Sequence, residues 1–297
     1  MTARVQLAPA EIRRAVRAAL AEDMGRGDVT TLATVPADAT STALMNAREP
    51  LVVAGMKFAE LAFREAAAKY ARRTPHAARL TITNLARDGQ RVKAGATLLQ
   101  ISGSSRAILS AERVALNFVQ RLSGVATATA QFADAVKGAG AKILDTRKTT
   151  PGWRRFEKYA VACGGGQNHR LGLFDMVLIK DNHLVALQDE KPNAIAAAIA
   201  RARKKFPRLK IEAEADTLAQ VAQAADAGAD IILLDNMAPA QLRRALRVIH
   251  GRAQTEASGG VNLQTVRAIA RTGVDFVSVG AVTHSARAVD IGLDFET

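Results

Sequence analysis

Arg147, Lys148, Arg170 and Lys180 fall within 34 residues that carry seven Lys/Arg and two acids, a local net charge of +5. Arginine presents a planar fork that binds a carboxylate or phosphate through paired hydrogen bonds, and lysine adds a mobile point charge. Gly164-Gly165-Gly166 stands just before Asn168-His169-Arg170, where bare backbone can approach a ligand. Downstream, Glu214 and Asp235 offer oxygen ligands for Mg2+ or acceptors for sugar hydroxyls. Ser258-Gly259-Gly260 and Gly280-Ala281 are turns whose N–H groups suit a phosphate. These residue types ask for a small, highly anionic, phosphorylated ligand.

Taken singly, each feature has a plainer reading. A lone lysine or aspartate at a strand end is usually a solvated terminus. Cys163 reads as a small packing residue, since no activating partner is identifiable. The five histidines show no HExxH or other zinc spacing. Several strand ends of convergent chemistry are much harder to read as solvated termini.

Those ends recur regularly. Short apolar strands are expected at 142–145, 176–179, 209–213, 231–234, 253–257 and 275–279. Helical stretches at 190–205, 217–227, 239–249 and 262–272 lie between most of them. Strand alternating with helix signals a parallel sheet, and six units fit a small, partial (β/α) barrel; an open doubly wound sheet is the alternative. A barrel gathers its chemistry at the C-terminal ends of its strands. No GxGxxG follows a strand, which argues against a dinucleotide site. Ahead of Gly138 the pattern is a small α+β unit. It has a helix at 9–22, strands at 41–48 and 51–53, a helix from Met56 to Lys69 and a strand at 79–84. A turn and strand within 88–101 follow, then a helical stretch over 105–137 broken near Ser123-Gly124.

The whole chain has 297 residues and a formal charge of +13, with 48% hydrophobic and 23% charged residues. This composition is that of a globular protein and excludes wholesale disorder. No apolar run is long enough for a membrane span, no secretory leader is evident, and one cysteine suits a reducing compartment, so the expected setting is cytoplasmic. Residues 201–210 and 240–252 carry ten basic residues and no acid on amphipathic helices, where they read as solvated faces. Aromatics are 4%, too few for base-stacking platforms, so no nucleic-acid partner is expected.

The run DTRKTTPGWRRFEKYAVACGGGQNHRLGLFDMVLIKDNH (145–183) closely resembles the central signature of the quinolinate phosphoribosyltransferases. ALAEDMGRGDVTT (19–31), AERVALNFVQRLSGVAT (111–127), ASGGVN (257–262) and GVDFVSVGAVTHSARAVDIGLDF (273–295) extend the resemblance over nearly the whole chain. Trp153 and Phe156 depart from the leucines usual there, and 184–193 is longer than in short members, without touching the motif residues. The resemblance implies an N-terminal α/β sandwich (1–115) and a partial α/β barrel (116–284), with the tail (285–297) returning to the sandwich. It implies transfer of phosphoribosyl from 5-phosphoribosyl 1-pyrophosphate (PRPP) to quinolinate with decarboxylation, giving nicotinate mononucleotide, pyrophosphate and CO2, with Mg2+ required. Matched by motif, Arg147, His169 and Arg170 would grip the quinolinate carboxylates, with Lys148 and Thr149 beside them. Lys180, Glu214 and Asp235 would surround the ribose, pyrophosphate and metal. Ser258, Gly259, Gly260 and Gly280 would cradle the 5′-phosphate, with His284 nearby. The family implies a homodimer or a hexamer of dimers, with Arg113 completing the neighbour's site.

Besides a paralogous phosphoribosyltransferase with a different acceptor, two rivals stand against this. A Schiff-base aldolase on the same barrel would use Lys180 as nucleophile. A nucleic-acid-binding protein would use the net charge without turnover.

Overall fold

The computed structural model describes residues 5–71 and 80–296, arranged as two compact units. One unit comprises Val5–Ala128, Arg155–Gly165 and the end of the chain from Ala286. It begins with α1 (Pro9–Met24), which starts on a proline whose missing N–H costs nothing there. Ile12, Val16, Leu20 and Met24, spaced four apart, form its buried stripe. A short α2 (Val29–Thr34) follows, capped by Asp28, whose carboxylate accepts the Thr31 N–H at 3.0 Å. Then come β1 (Thr40–Ala47), β2 (Leu51–Val52), α3 (Met56–Ala71), β3 (Leu80–Asn84), β4 (Arg91–Val92) and β5 (Thr97–Ser104). Arg79, the first residue of the expected 79–84 strand, lies outside the described residues.

α4 (Ser105–Ala135) runs for 31 residues without the expected break at Ser123-Gly124. Both residues instead serve packing. Ser123 Oγ accepts the Ala54 N–H at 2.9 Å and donates to the Ala54 carbonyl at 3.2 Å. A Cβ on Gly124 would come within 2.0 Å of the Arg287 carbonyl oxygen, so only glycine admits the returning tail. α5 (Arg154–Cys163) brings Glu157, fully buried, to within 2.7 Å of Arg121 Nη2. It also sets Phe156 edge-on to Phe58, at 5.1 Å and 79°. Phe58 stacks in turn on Phe118 at 4.8 Å, so the unusual Phe156 ends an aromatic row in the core. Cys163 is buried on the same helix.

The second unit, Thr129–Arg154 with Gly166–Ser285, supplies the parallel sheet. Its strands are β6 (Lys142–Leu144), β7 (Val177–Ile179), β8 (Ile211–Ala215), β9 (Ile231–Asp235), β10 (Gln254–Ser258) and β11 (Phe276–Ser278). The connecting helices are α6 (Asp181–Val185), α7 (Ala194–Lys205), α8 (Leu218–Asp226), α9 (Pro239–Ile249) and α10 (Val266–Ala270), with α11 (Ala281–His284) after the last strand. The strand order is β6-β11-β10-β9-β8-β7, and every pairing is parallel. Among the described residues no ladder joins β6 to β7, so the sheet is an open, partial barrel.

Register is pinned at the strand starts by carboxylates from the turn that leads into the next strand. Asp230 Oδ2 accepts the Ile211 N–H at 2.7 Å, and Asp275 Oδ2 accepts the Thr255 N–H at 2.8 Å. These bonds fix which side chains reach the far ends. Several basic side chains of the 201–210 and 240–252 stretches end on acids: Arg201 on Glu190, Arg203 on Asp230 and Arg252 on Asp226. The chain closes with β12 (Ile291–Phe295), antiparallel to β1, in a four-stranded sheet of order β12-β1-β5-β3.

Candidate active site

A cavity of about 830 Å³ opens at the C-terminal ends of the parallel strands. Arg147, Lys148, His169, Arg170, Lys180, Glu214 and Asp235 line it, with Ser258, Gly259, Gly260, Gly280 and His284. Thr149 is not in the lining. Its hydroxyl accepts from Arg154 Nε at 3.1 Å, which anchors the loop that carries Arg147 and Lys148. Arg113 stands exposed on α4, in the other unit.

The basic wall is built from β6 outward. Asp145, fully buried just after β6, accepts the His169 N–H on Oδ1 at 2.8 Å and the Asn168 amide on Oδ2 at 2.7 Å. The Gln167 N–H reaches the Ile143 carbonyl at 2.8 Å, which bridges Gln167 to the end of β6. Arg170 is thereby buried, with Nη1 donating to the Met176 carbonyl at 3.2 Å. Burial first, and then the like charge of Arg147, lower its pKa from the ordinary value; a guanidinium still keeps its proton. The Nε groups of Arg147 and Arg170 are both buried without a hydrogen-bond partner. Two unpaired guanidinium N–H groups are costly unless an anion completes them.

His169 is engaged at both ring nitrogens. Nδ1 accepts the Arg170 backbone N–H at 2.7 Å, so the ring proton sits on Nε2. Nε2 lies 3.1 Å from Glu212 and 3.5 Å from Glu256. Burial pushes both carboxyl pKa values up, and at Glu256 the charge of Glu212 adds to the effect. Neither glutamate had drawn a role from the sequence, and Glu256 also lines the cavity. The available signal was an acid inside an apolar strand, at the alternate positions that face a barrel interior.

The acidic wall comes from β8 and β9. Lys180 Nζ donates to Glu214 Oε2 at 2.6 Å, and Asp235 Oδ2 accepts from Asn236 Nδ2 at 2.5 Å. The glycine turn follows from this crowding. Asn236 sits at φ +53, and its N–H bonds the Ser258 carbonyl at 2.9 Å. A Cβ on Gly259, at φ +93, would meet Asn236 Oδ1 at 2.1 Å. A Cβ on Gly280 would approach His284 Nε2 at 3.1 Å and Lys148 Cδ at 3.3 Å.

A parallel sheet whose strand ends gather cations, carboxylates and bare glycine turns defines an α/β enzyme of small phosphorylated anions. The comparisons carry this to a family. Residues 28–123 match the N-terminal domain and residues 125–294 the C-terminal domain of quinolinate phosphoribosyl transferase, and the chain belongs to that family. It is 43% identical over 286 residues to the nicotinate-nucleotide pyrophosphorylase [carboxylating] of Mycobacterium leprae, covering 95% of this chain and 96% of that one. The chloroplastic enzyme of the same name from Arabidopsis thaliana is 40% identical over 303 residues, covering 97% of this chain and 83% of that one. The solved nicotinate-nucleotide pyrophosphorylase of Francisella tularensis superposes with a TM-score of 0.90 at 38% identity, over all of both chains.

Proposed function

We propose that this cavity transfers the phosphoribosyl group of PRPP to quinolinate with loss of CO2, giving nicotinate mononucleotide and pyrophosphate for NAD biosynthesis. The observation that carries the reading is the pair of buried, unpartnered Nε groups on Arg147 and Arg170. A vicinal dicarboxylate satisfies both, and each fork then holds its carboxylate through charge-assisted bonds.

The residues then divide the work. Arg147 and Arg170 orient the pyridine ring so that its nitrogen faces the ribose C1. Glu214 and Asp235 stabilise the oxocarbenium-like charge that develops at C1. Lys180, held against Glu214 at 2.6 Å, and Lys148 neutralise the departing pyrophosphate. Ser258, Gly259, Gly260 and Gly280 receive the 5′-phosphate, with His284 beside them. Bond formation leaves the ring nitrogen positive, and this charge stabilises the electron pair left at C2 when CO2 departs.

Mg2+ fits the same wall. Glu214 and Asp235 supply hard oxygen donors facing the cavity, the donor chemistry Mg2+ prefers alongside substrate phosphates. When bound, the ion would neutralise phosphate charge. The reading extends to a cytoplasmic homodimer, or a hexamer of dimers, in which Arg113 completes the neighbour's site. Its support is the exposed position of Arg113 on α4 and, among the described residues, no helix long and apolar enough to cross a membrane. A Schiff-base lysine needs a neutral amine in an apolar pocket, whereas Lys180 is a half-exposed partner of Glu214.

Titration calorimetry tests the carrying observation. Quinolinate should bind at least about 30-fold more tightly than nicotinate, which lacks the second carboxylate. Equal affinity for the two would contradict the reading.

A further inference from the structure

Glu256 is a buried acid that faces the substrate cavity and has no work in the reaction as described so far. Glu214 of β8 and Glu256 of β10 are both registered against Leu233 of β9. Register partners in parallel strands point to one face, and all three side chains line the cavity. Glu256 is 1% exposed, and both of its carboxyl oxygens are buried. A carboxylate in such a place would cost far more than the neutral carboxylic acid.

The groups around it agree. Glu212 from β8, also buried, adds a like group beside it, and Ser278 of β11 faces it as well. His169, from the loop before β7, turns its Nε2–H toward both glutamates, 3.5 Å from Glu256. Arg170 and Lys180 act on Glu212. Burial, with Glu212 second, raises the Glu256 pKa.

We propose that Glu256 is the acid that delivers the proton to pyridine C2 as CO2 leaves, a role that rests on the quinolinate reading above. Arg147 and Arg170 hold the carboxylates, so the C2 carboxylate lies against the wall that contains His169 and Glu256. The bond from C2 to the carboxylate carbon breaks and its electron pair stays on C2. The Glu256 O–H proton joins that pair as the new C2–H, and Glu256 is left as a carboxylate. The His169 Nε2–H, already aimed at it, strengthens as this charge appears. Solvent returns the proton before the next turnover.

Glu256→Gln keeps the side chain's length but has no acidic proton. At neutral pH its kcat should fall by at least about 100-fold, while the calorimetric Kd for quinolinate stays within about threefold of wild type. Wild-type kcat should decline as pH rises toward about 9, as the acid is lost, and this decline should be absent from the variant. A variant kcat within about threefold of wild type, or a loss confined to quinolinate affinity, overturns the proposal. Should the variant not fold, the wild-type profile decides alone: a kcat flat from about pH 6 to 9 overturns it. Wild-type enzyme that makes no product from quinolinate would overturn the underlying reading as well, and is told apart by that result.

Discussion

Asp145 Oδ1 accepts the backbone N–H of His169 at 2.8 Å, and this one bond ties the substrate-facing His169-Arg170 pair to the end of β6. The second carboxylate oxygen holds Asn168 at 2.7 Å, so one buried side chain fixes two consecutive residues that no strand or helix contains. Asp145→Ala would leave two buried donors unsatisfied. The expected cost is about 2–5 kcal/mol of stability, read as a drop in Tm. The quinolinate KM should rise with it, although Asp145 does not line the cavity.

Gly259→Ala separates backbone need from chance. Its Cβ would meet Asn236 Oδ1 at 2.1 Å and the Asn236 backbone nitrogen at 2.9 Å, at a φ of +93. The side-chain clash can relax but the backbone one cannot. We expect the turn to shift at a cost of about 1–3 kcal/mol. The KM for PRPP should rise while quinolinate binding, measured alone by calorimetry, stays near wild type.

How much of this was readable follows from where each residue stands. The barrel strands were legible because most are short apolar runs that end in a charged or glycine-containing turn, and the observed strands lie within about two residues of expectation. Ser123-Gly124 looked like a break because local propensity cannot see that Ala54 bonds the serine and Arg287 crowds the glycine. Glu212 is visible as a carboxyl of the third strand but without a role, and Glu256 is not singled out, because a carboxyl inside a strand gains meaning only when two distant strands and His169 bring such groups together. Asp145 was visible as a strand-end charge, but its partners lie 23 and 24 residues away. The pairing of β12 with β1 is not legible from periodicity; the family resemblance implies only that the tail returns to the sandwich.

Asp28 links pH to stability. Burial opposes its ionisation, but hydrogen bonds from Thr31 and Ser110 outweigh this and hold its pKa below the ordinary aspartate value. A depressed folded pKa stabilises above the unfolded pKa, and that contribution is lost as pH falls through the folded value. Asp28→Ala should cost about 0.5–2 kcal/mol at neutral pH. The gap in Tm between wild type and variant should narrow as the solution is acidified below the ordinary aspartate pKa.

Arg113 offers a test of assembly that needs no structure. If it acts in the neighbour's site, Arg113→Ala and Lys180→Ala are each inactive alone, yet a mixed dimer rebuilds one intact site. Unfolding and refolding an equal mixture should recover about a quarter of wild-type activity, as random pairing of a two-fold dimer requires. No recovery would mean that Arg113 and Lys180 serve the same chain's site.

The central claim is that Arg147 and Arg170 select a dicarboxylate for phosphoribosyl transfer. The most direct measurement is product formation from PRPP and Mg2+, followed as nicotinate mononucleotide and pyrophosphate, with quinolinate and with nicotinate in turn. Quinolinate should give both products with stoichiometric CO2, and nicotinate should give none above background. Turnover with nicotinate and none with quinolinate would contradict the account.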